Sequence, residues 1–321
     1  MKIAVLDDYQ GVALESADWS TLPADAQVQV FRDHLHGLDE VVERLRDFEV
    51  VSAMRERTPF RRELLQRLPN LKLLITTGMR NASIDLDAAT EHGVLVCGTG
   101  GVGYPTAELT WGLILALARS IPQENEAIRK ERWQTTVGTG LQGRTLGVLG
   151  LGRLGSQVAA VGNTFGMSVF AWSQNLTAER ASESGASLVT KDELFSNSDI
   201  LTIHLQLSDR TRGLVGAHEL GLMKSTAYLV NTSRGPIVDE GALVKTLQAR
   251  AIAGAGLDVF EPEPLSQGHP FKSLDNTILT PHLGYVTKEG YQIYYADTVE
   301  DISAYIQGQP VRVLNANAVK T

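Results

Sequence analysis

Three residues of this chain have the types needed to grip a small acid and move a proton, and each stands just past an apolar run. Arg234 follows Ala227-Tyr228-Leu229-Val230-Asn231-Thr232-Ser233, Glu263 follows Leu257-Asp258-Val259-Phe260-Glu261-Pro262, and His282 follows Thr277-Ile278-Leu279-Thr280-Pro281. A guanidinium clamps a carboxylate with two parallel hydrogen bonds, a geometry that lysine does not match. Imidazole titrates near neutrality, and a neighbouring carboxylate orients the ring and favours its charged form, so His282 with Glu263 would make a proton-transfer pair. Taken singly each has a plainer reading: Arg234 as a surface ion pair, Glu263 as a solvated turn residue, His282 as a loop histidine bound to backbone. Their joint placement decides otherwise, because ligands of open α/β sheets sit at the carboxyl ends of the strands.

A phosphate loop lies upstream. Gly147-Val148-Leu149-Gly150-Leu151-Gly152-Arg153-Leu154-Gly155 runs from an apolar segment into a GxGxxG turn. Gly150 suits the tight turn, Gly152 a close approach to pyrophosphate, and Gly155 close packing of the next helix. The free N–H groups and positive dipole end of that helix suit a phosphate. Thr145 to Leu149 reads as the strand before the loop, Ser156 to Phe165 as the helix after it, and Met167 to Trp172 as the next strand of a βαβ unit.

These residues need a scaffold. Short apolar runs at Ile3 to Leu6, Val28 to Phe31, Val50 to Ala53, Leu71 to Thr76 and Val94 to Cys97 alternate with helix-like segments such as Asp39 to Phe48. The alternation resumes after the loop, with strands at Ile200 to Leu205, Ala227 to Thr232, Ala253 to Val259 and Thr277 to Leu279. Two doubly wound parallel-sheet units follow from this pattern. Gly98 to Thr106, dense in Gly with Pro105, reads as the join, as a hinge, ligand loop or plain connector. Helices are expected at Ala107 to Arg119 and about Glu289 to Ile306. Spacing alone does not say where Val311 to Asn315 goes.

Composition bounds the rest. The 321 residues are 43% hydrophobic and 21% charged, as in an ordinary globular protein of about two domains. A net charge of −8 and a pI near 5.4 give no general reason to bind nucleic acid or an anionic membrane. Cys97 is the single cysteine, which excludes an internal disulfide and a cysteine-based zinc site and fits a reducing compartment. No secretion signal opens the sequence and no apolar stretch is long enough to span a bilayer, so a cytoplasmic location is expected.

The motifs together resemble the D-isomer-specific 2-hydroxyacid dehydrogenases, the glycerate, hydroxypyruvate and glyoxylate reductase group. The matching pieces are the Gly147 to Gly155 loop, His204-Leu205-Gln206-Leu207, Val230 to Gly235, Gly256 to Pro264 and Thr280-Pro281-His282-Leu283-Gly284, in order along nearly the whole chain. The resemblance implies hydride transfer between a nicotinamide and C2 of a small 2-oxo or 2-hydroxy acid. It gives His282 the proton, Glu263 its support, Arg234 the substrate, and Asp258 the nicotinamide carboxamide. Expected cofactor contacts are Gly150, Gly152, Arg153, Leu154, Gly155, Ser173, Gln174, His204, Leu205, Thr211, Thr232, Ser233, Asp258 and Thr106, with no metal. The acid would lie against Thr77, Gly78, Met79, Arg80, Arg234 and His282.

The resemblance further implies a Rossmann dinucleotide-binding domain, 102–288, and a flavodoxin-like substrate domain, 1–101 with 289–321, in a homodimer. The acid at Glu263 sets the chain apart from formate dehydrogenases. From the end soon after Asn315, no added regulatory domain of the kind that phosphoglycerate dehydrogenases often carry is expected. Two other functions share this framework: a dinucleotide-sensing corepressor or scaffold, and a dehydrogenase of another oxyanion such as phosphite.

Two places depart from the family pattern. NAD sites usually end the second strand with an acid, whereas Trp172-Ser173-Gln174-Asn175 has none before Glu179, so NAD and NADP are both expected, with a lean to NADP. The substrate loop reads Thr77-Gly78-Met79-Arg80-Asn81-Ala82-Ser83-Ile84-Asp85, with Arg80 in place of a second glycine. Arg80 would supply charge for a second anionic or polar substrate group, or else be a solvated loop arginine.

Overall fold

The computed structural model describes residues 1–316, and the last five residues of the expected 289–321 segment lie outside that range. Two compact units share the chain: Met1–Val102 joined by the segment from Val286 onward, and Gly103–Tyr285. The seams fall at 102/103 and 285/286, one and three residues from the expected boundaries. The second is early because Thr280, Leu283 and Gly284 are all bonded to Asp258, which keeps that turn with its own sheet, while Thr287 caps the next helix.

The first unit begins with β1 (Lys2–Val5), β2 (Gln27–Val30), α1 (Leu38–Leu45), β3 (Val50–Ala53), α2 (Arg62–Leu65), β4 (Leu73–Thr76), α3 (Leu86–Glu91) and β5 (Leu95–Gly98). Its strands are all parallel in the order β2-β1-β3-β4-β5, the flavodoxin-like arrangement. Side chains alternate across this sheet: Ala4, Val51, Leu74 and Val96 join one core, and Ile3, Val50, Leu73, Ile75 and Cys97 the other.

The second unit runs α4 (Pro105–Ala118), α5 (Ile121–Arg129), β6 (Thr145–Leu149), α6 (Arg153–Thr164), β7 (Ser168–Trp172), α7 (Ala178–Glu183), β8 (Ser187–Leu188), α8 (Lys191–Asn197), β9 (Ile200–Ile203), α9 (Ala217–Leu222), β10 (Tyr228–Asn231), α10 (Glu240–Gln248), β11 (Gly254–Leu257) and β12 (Thr277–Leu279). Its parallel sheet has the order β12-β11-β10-β9-β6-β7-β8, a Rossmann order extended by one strand. Trp111, Ile114 and Val158 cover one face, and Phe195, Leu220 and Leu243 the other. The two-residue β8 is too short for periodicity to reveal.

The chain then returns to the first unit as α11 (Lys288–Ile306). A parallel sheet must be covered on both faces, and Val299 and Ile302 supply that cover over Ile3, Leu73 and Cys97. The tail follows: Val313 bridges Cys97 antiparallel, Leu314 N–H donates to Val96 O at 2.8 Å, and Asn315 Oδ1 accepts the Val96 N–H at 2.8 Å. Burial pushes the Cys97 thiol up to about 12, so it packs as a small apolar group.

Within α11, Asp301 is fully buried, and its Oδ1 accepts from Arg312 Nε at 3.1 Å and Nη2 at 3.0 Å. Burial outweighs that partner and raises its carboxyl to about 7. A folded pKa above the unfolded value near 3.8 gives stability that is full below the unfolded value and lost as pH rises through about 7. The melting temperature of Asp301→Asn minus that of the parent is therefore expected to increase from pH 5 to pH 8; a flat or falling difference would refute it.

Candidate active site

The glycine loop is shaped for a phosphate. Gly150 has φ +105°, and a Cβ there would lie 2.8 Å from the His204 backbone, so the chain can turn here only without a side chain. A Cβ on Gly155 would strike the Gly150 carbonyl oxygen, which fixes how closely α6 sits against the loop. Gly152 faces open space, with nothing within 4 Å of a Cβ. It is also the N-cap of α6, with no side-chain cap, so the helix opens at Arg153, three residues earlier than periodicity predicts. Arg153 and Leu154 thus form its first turn, their N–H groups uncapped by any side chain, and the cradle fits the pyrophosphate of a dinucleotide. Ser173, at the end of β7, accepts the Leu151 N–H at 3.1 Å and keeps its own hydroxyl proton to donate; Gln174 follows it, exposed.

The remaining expected cofactor residues line the strand ends of the same sheet. β9 ends at Ile203, and the His204 ring beyond it turns back to Thr202 Oγ1 at 2.9 Å; burial lowers this imidazole to about 4 and keeps it neutral. Leu205 O accepts the Ser233 hydroxyl, and Thr211 Oγ1 donates to Gln206 O at 2.7 Å, closing the loop after β9. Thr232 meets Thr110 at 2.8 Å, and Thr106 donates to Gly284 O at 2.8 Å.

The structure brings His282 and Glu263 together. His282 Nδ1 lies 2.6 Å from Glu263 Oε2, while Glu263 Oε1 accepts the Phe260 N–H at 2.9 Å. Both carboxylate oxygens are thereby used, and the ring donates through Nδ1, leaving Nε2 for a substrate. His282 has φ +54° and gives its N–H to Asp258 O at 2.8 Å. Asp258, fully buried, takes Thr280 Oγ1 at 2.6 Å and Leu283 N–H at 2.7 Å on one oxygen and Gly284 N–H at 2.9 Å on the other. Its carboxyl is pushed up by burial, against the pull of these donors and of His282. In this structure Asp258 holds the turn that carries His282. Its second oxygen, with a single donor, retains a lone pair for the expected carboxamide. Tyr285 meets the His282 ring edge-on at 5.6 Å, a contact that spacing did not reveal.

Arg234 is half-buried and extended after β10, its Nη1 on Ser233 O at 2.8 Å. Asn231 fixes this bend by donating to Arg234 O and accepting from Ser233 N–H, both at 3.0 Å. Gly235 must be glycine, since a Cβ would lie 2.5 Å from the Phe260 backbone.

The expected acid-binding loop belongs to the first unit. Thr77 is buried, and Gly78, at φ +91°, gives its N–H to Thr99 Oγ1 at 2.8 Å, so this amide is committed within the protein. Met79 and Arg80 are exposed, and among the described residues their N–H groups and the Arg80 guanidinium have no protein acceptor. Arg55, just past β3, was missed: its Nη1 donates to Thr77 O at 3.0 Å, bracing the loop. The strand-end rule that selects Arg234 also finds it. Among the described residues no group of three or more His, Cys, Asp or Glu is placed to hold a metal ion, and no helix is long and apolar enough to cross a membrane.

The D-isomer specific 2-hydroxyacid dehydrogenase NAD binding domain matches residues 111–284, more than half of the chain. The chain belongs to this family. As a D-2-hydroxyacid dehydrogenase it transfers a hydride between a nicotinamide cofactor and C2 of a small 2-oxo or 2-hydroxy acid. A glyoxylate reductase of Aeropyrum pernix is 42% identical over 269 residues, 80% of each chain. A D-3-phosphoglycerate dehydrogenase of Archaeoglobus fulgidus is 34% identical over 97% of this chain, which covers 58% of that protein. The crystal structure of a phosphoglycerate oxidoreductase from Vibrio cholerae O395 superposes with a TM-score of 0.90 at 39% identity, covering 96% of this chain and 99% of that one.

Proposed function

We propose that this dehydrogenase reduces 2-oxo acids of the glyoxylate and hydroxypyruvate type through Arg234, Glu263 and His282. The observation that carries the reading is the 2.6 Å His282–Glu263 contact on a turn clamped by Asp258. A bound reduced nicotinamide supplies the hydride to C2. Arg234 binds the acid and polarises its carbonyl. His282 gives the Nε2 proton to the carbonyl oxygen as that oxygen gains charge, and Glu263 holds the imidazolium in register through Nδ1. Glyoxylate, hydroxypyruvate, phenylpyruvate and phosphorylated 2-oxo acids, tried with NADH and NADPH, form the test; no turnover of any would refute the reading.

Exposed Arg80 supports a second reading of the substrate, in which the acid carries another anionic group. Arg80→Ala then raises KM for dicarboxylates and phosphorylated acids alone, and an unchanged KM for all acids removes it.

For the cofactor, the Ser173 hydroxyl and the absence of an acid at the end of β7 favour use of both dinucleotides with a lean to NADP. Ser173→Asp should shift the kcat/KM ratio towards NAD by about tenfold or more, through repulsion of the 2′-phosphate. A parent enzyme that strongly prefers NAD would defeat the lean. The proposal includes a cytoplasmic homodimer: Trp133, 75% exposed, and Val137, 99% exposed, follow α5 on a segment that a second copy would cover. Sedimentation equilibrium returning a monomer would refute the dimer.

A further inference from the structure

We infer that Asp7, anchored by His34, is a positioning residue for the substrate acid, holding the turn that bears Arg57 at the carboxyl edge of the first sheet. The inference rests on the reading that the loops at this edge bind the acid. The order β2-β1-β3-β4-β5 changes direction between β1 and β3, the switch point at which open sheets bind ligands. Asp7 lies just past β1, at φ +57°, and is 2% exposed. Its carbonyl accepts Arg57 Nη1 at 2.7 Å, its Oδ2 accepts Thr58 Oγ1 at 2.7 Å, and its Oδ1 lies 2.8 Å from His34 Nδ1.

One residue therefore ties together the end of β1, the turn after β3 and the segment after β2. Arg57, half-buried, has its guanidinium carbon 4.5 Å from the centre of the Tyr9 ring. A buried carboxylate is costly unless donors surround it, and here every donor belongs to a segment that converges on the switch point. The left-handed conformation adds a constraint that Asp and Asn tolerate better than most residues. Such a hub fixes the guanidinium before the acid arrives, so less ordering remains to be done on binding.

Asp7→Asn separates these effects. It keeps the size and the backbone tolerance, but its amide offers one acceptor oxygen where two donors need one each. His34→Ala removes the anchor, whereas His34→Asn restores an N–H near the position of Nδ1. Asp7→Asn and His34→Ala should raise KM for the acid by about fivefold or more, with kcat and the KM for the dinucleotide within about twofold. His34→Asn should return towards the parent value. Circular dichroism and thermal melting verify the fold, and Thr58→Val, which deletes one donor at nearly constant shape, carries the test if the others fail to fold.

Unchanged acid KM in the folded variants overturns the inference, as does an equal rise in both KM values, which marks general damage. Arg57→Ala separates the two levels of the argument. If it raises the acid KM while the Asp7 and His34 variants behave as the parent, the positioning role alone falls; if the parent reduces no 2-oxo acid, the underlying reading falls.

Discussion

His282→Asn is expected to lower kcat by about 10²- to 10⁴-fold at saturating acid and dinucleotide, the range for loss of a positioned general acid. Asparagine is the informative replacement because His282 sits at φ +54°, a conformation that Asn adopts readily. The Asp258-held turn then survives, and the loss reports on the proton. Dinucleotide affinity, followed through nicotinamide fluorescence, should stay within about twofold, since the glycine loop is untouched. Glu263→Gln should cost less, because the amide oxygen can still accept from Nδ1, while the Phe260 N–H contact and the charge that favours the imidazolium are lost. A kcat within about threefold of the parent in His282→Asn would remove this residue from the chemistry.

Arg234→Lys is expected to lower kcat/KM for the acid by about 10- to 100-fold, the value of a lost charge-assisted bidentate contact. The charge is conserved, so a purely electrostatic role would leave little effect. Lysine presents a point charge where the planar fork would meet two oxygens, and it cannot also keep the Ser233 carbonyl contact that aligns the side chain. The loss should appear in both KM and kcat, because the residue binds the carboxylate and polarises the carbonyl. A change confined to the dinucleotide KM would instead place Arg234 on the cofactor.

Local signals were strong where chemistry and backbone geometry coincide. Thr145–Leu149, Val50–Ala53 and Thr277–Leu279 were read to the residue, since parallel strands are apolar on both faces and end abruptly at turn residues. The glycine positions told which backbone approaches were close, and contacts at Gly150 and Gly155 explain why. Strand ends further out were overrun: the run of β9 reads on through His204 and Leu205, whereas the strand ends at Ile203, with the His204 N–H as its last bond to β6. β8 and the role of Arg55 depended on neighbours distant in sequence.

By itself the sequence determined two parallel sheets, a phosphate loop at Gly150 to Gly155, and an arginine, a glutamate and a histidine at strand ends, because periodicity, turn chemistry and residue type are local properties. The tertiary structure alone decided which contacts seat α11 and the tail on the first unit, that Asp258 clamps the His282 turn, and that Asp7 ties Arg57 to β1. Each of these joins residues far apart along the chain, and each follows from the need to cover both faces of a sheet or to give a buried carboxylate its donors.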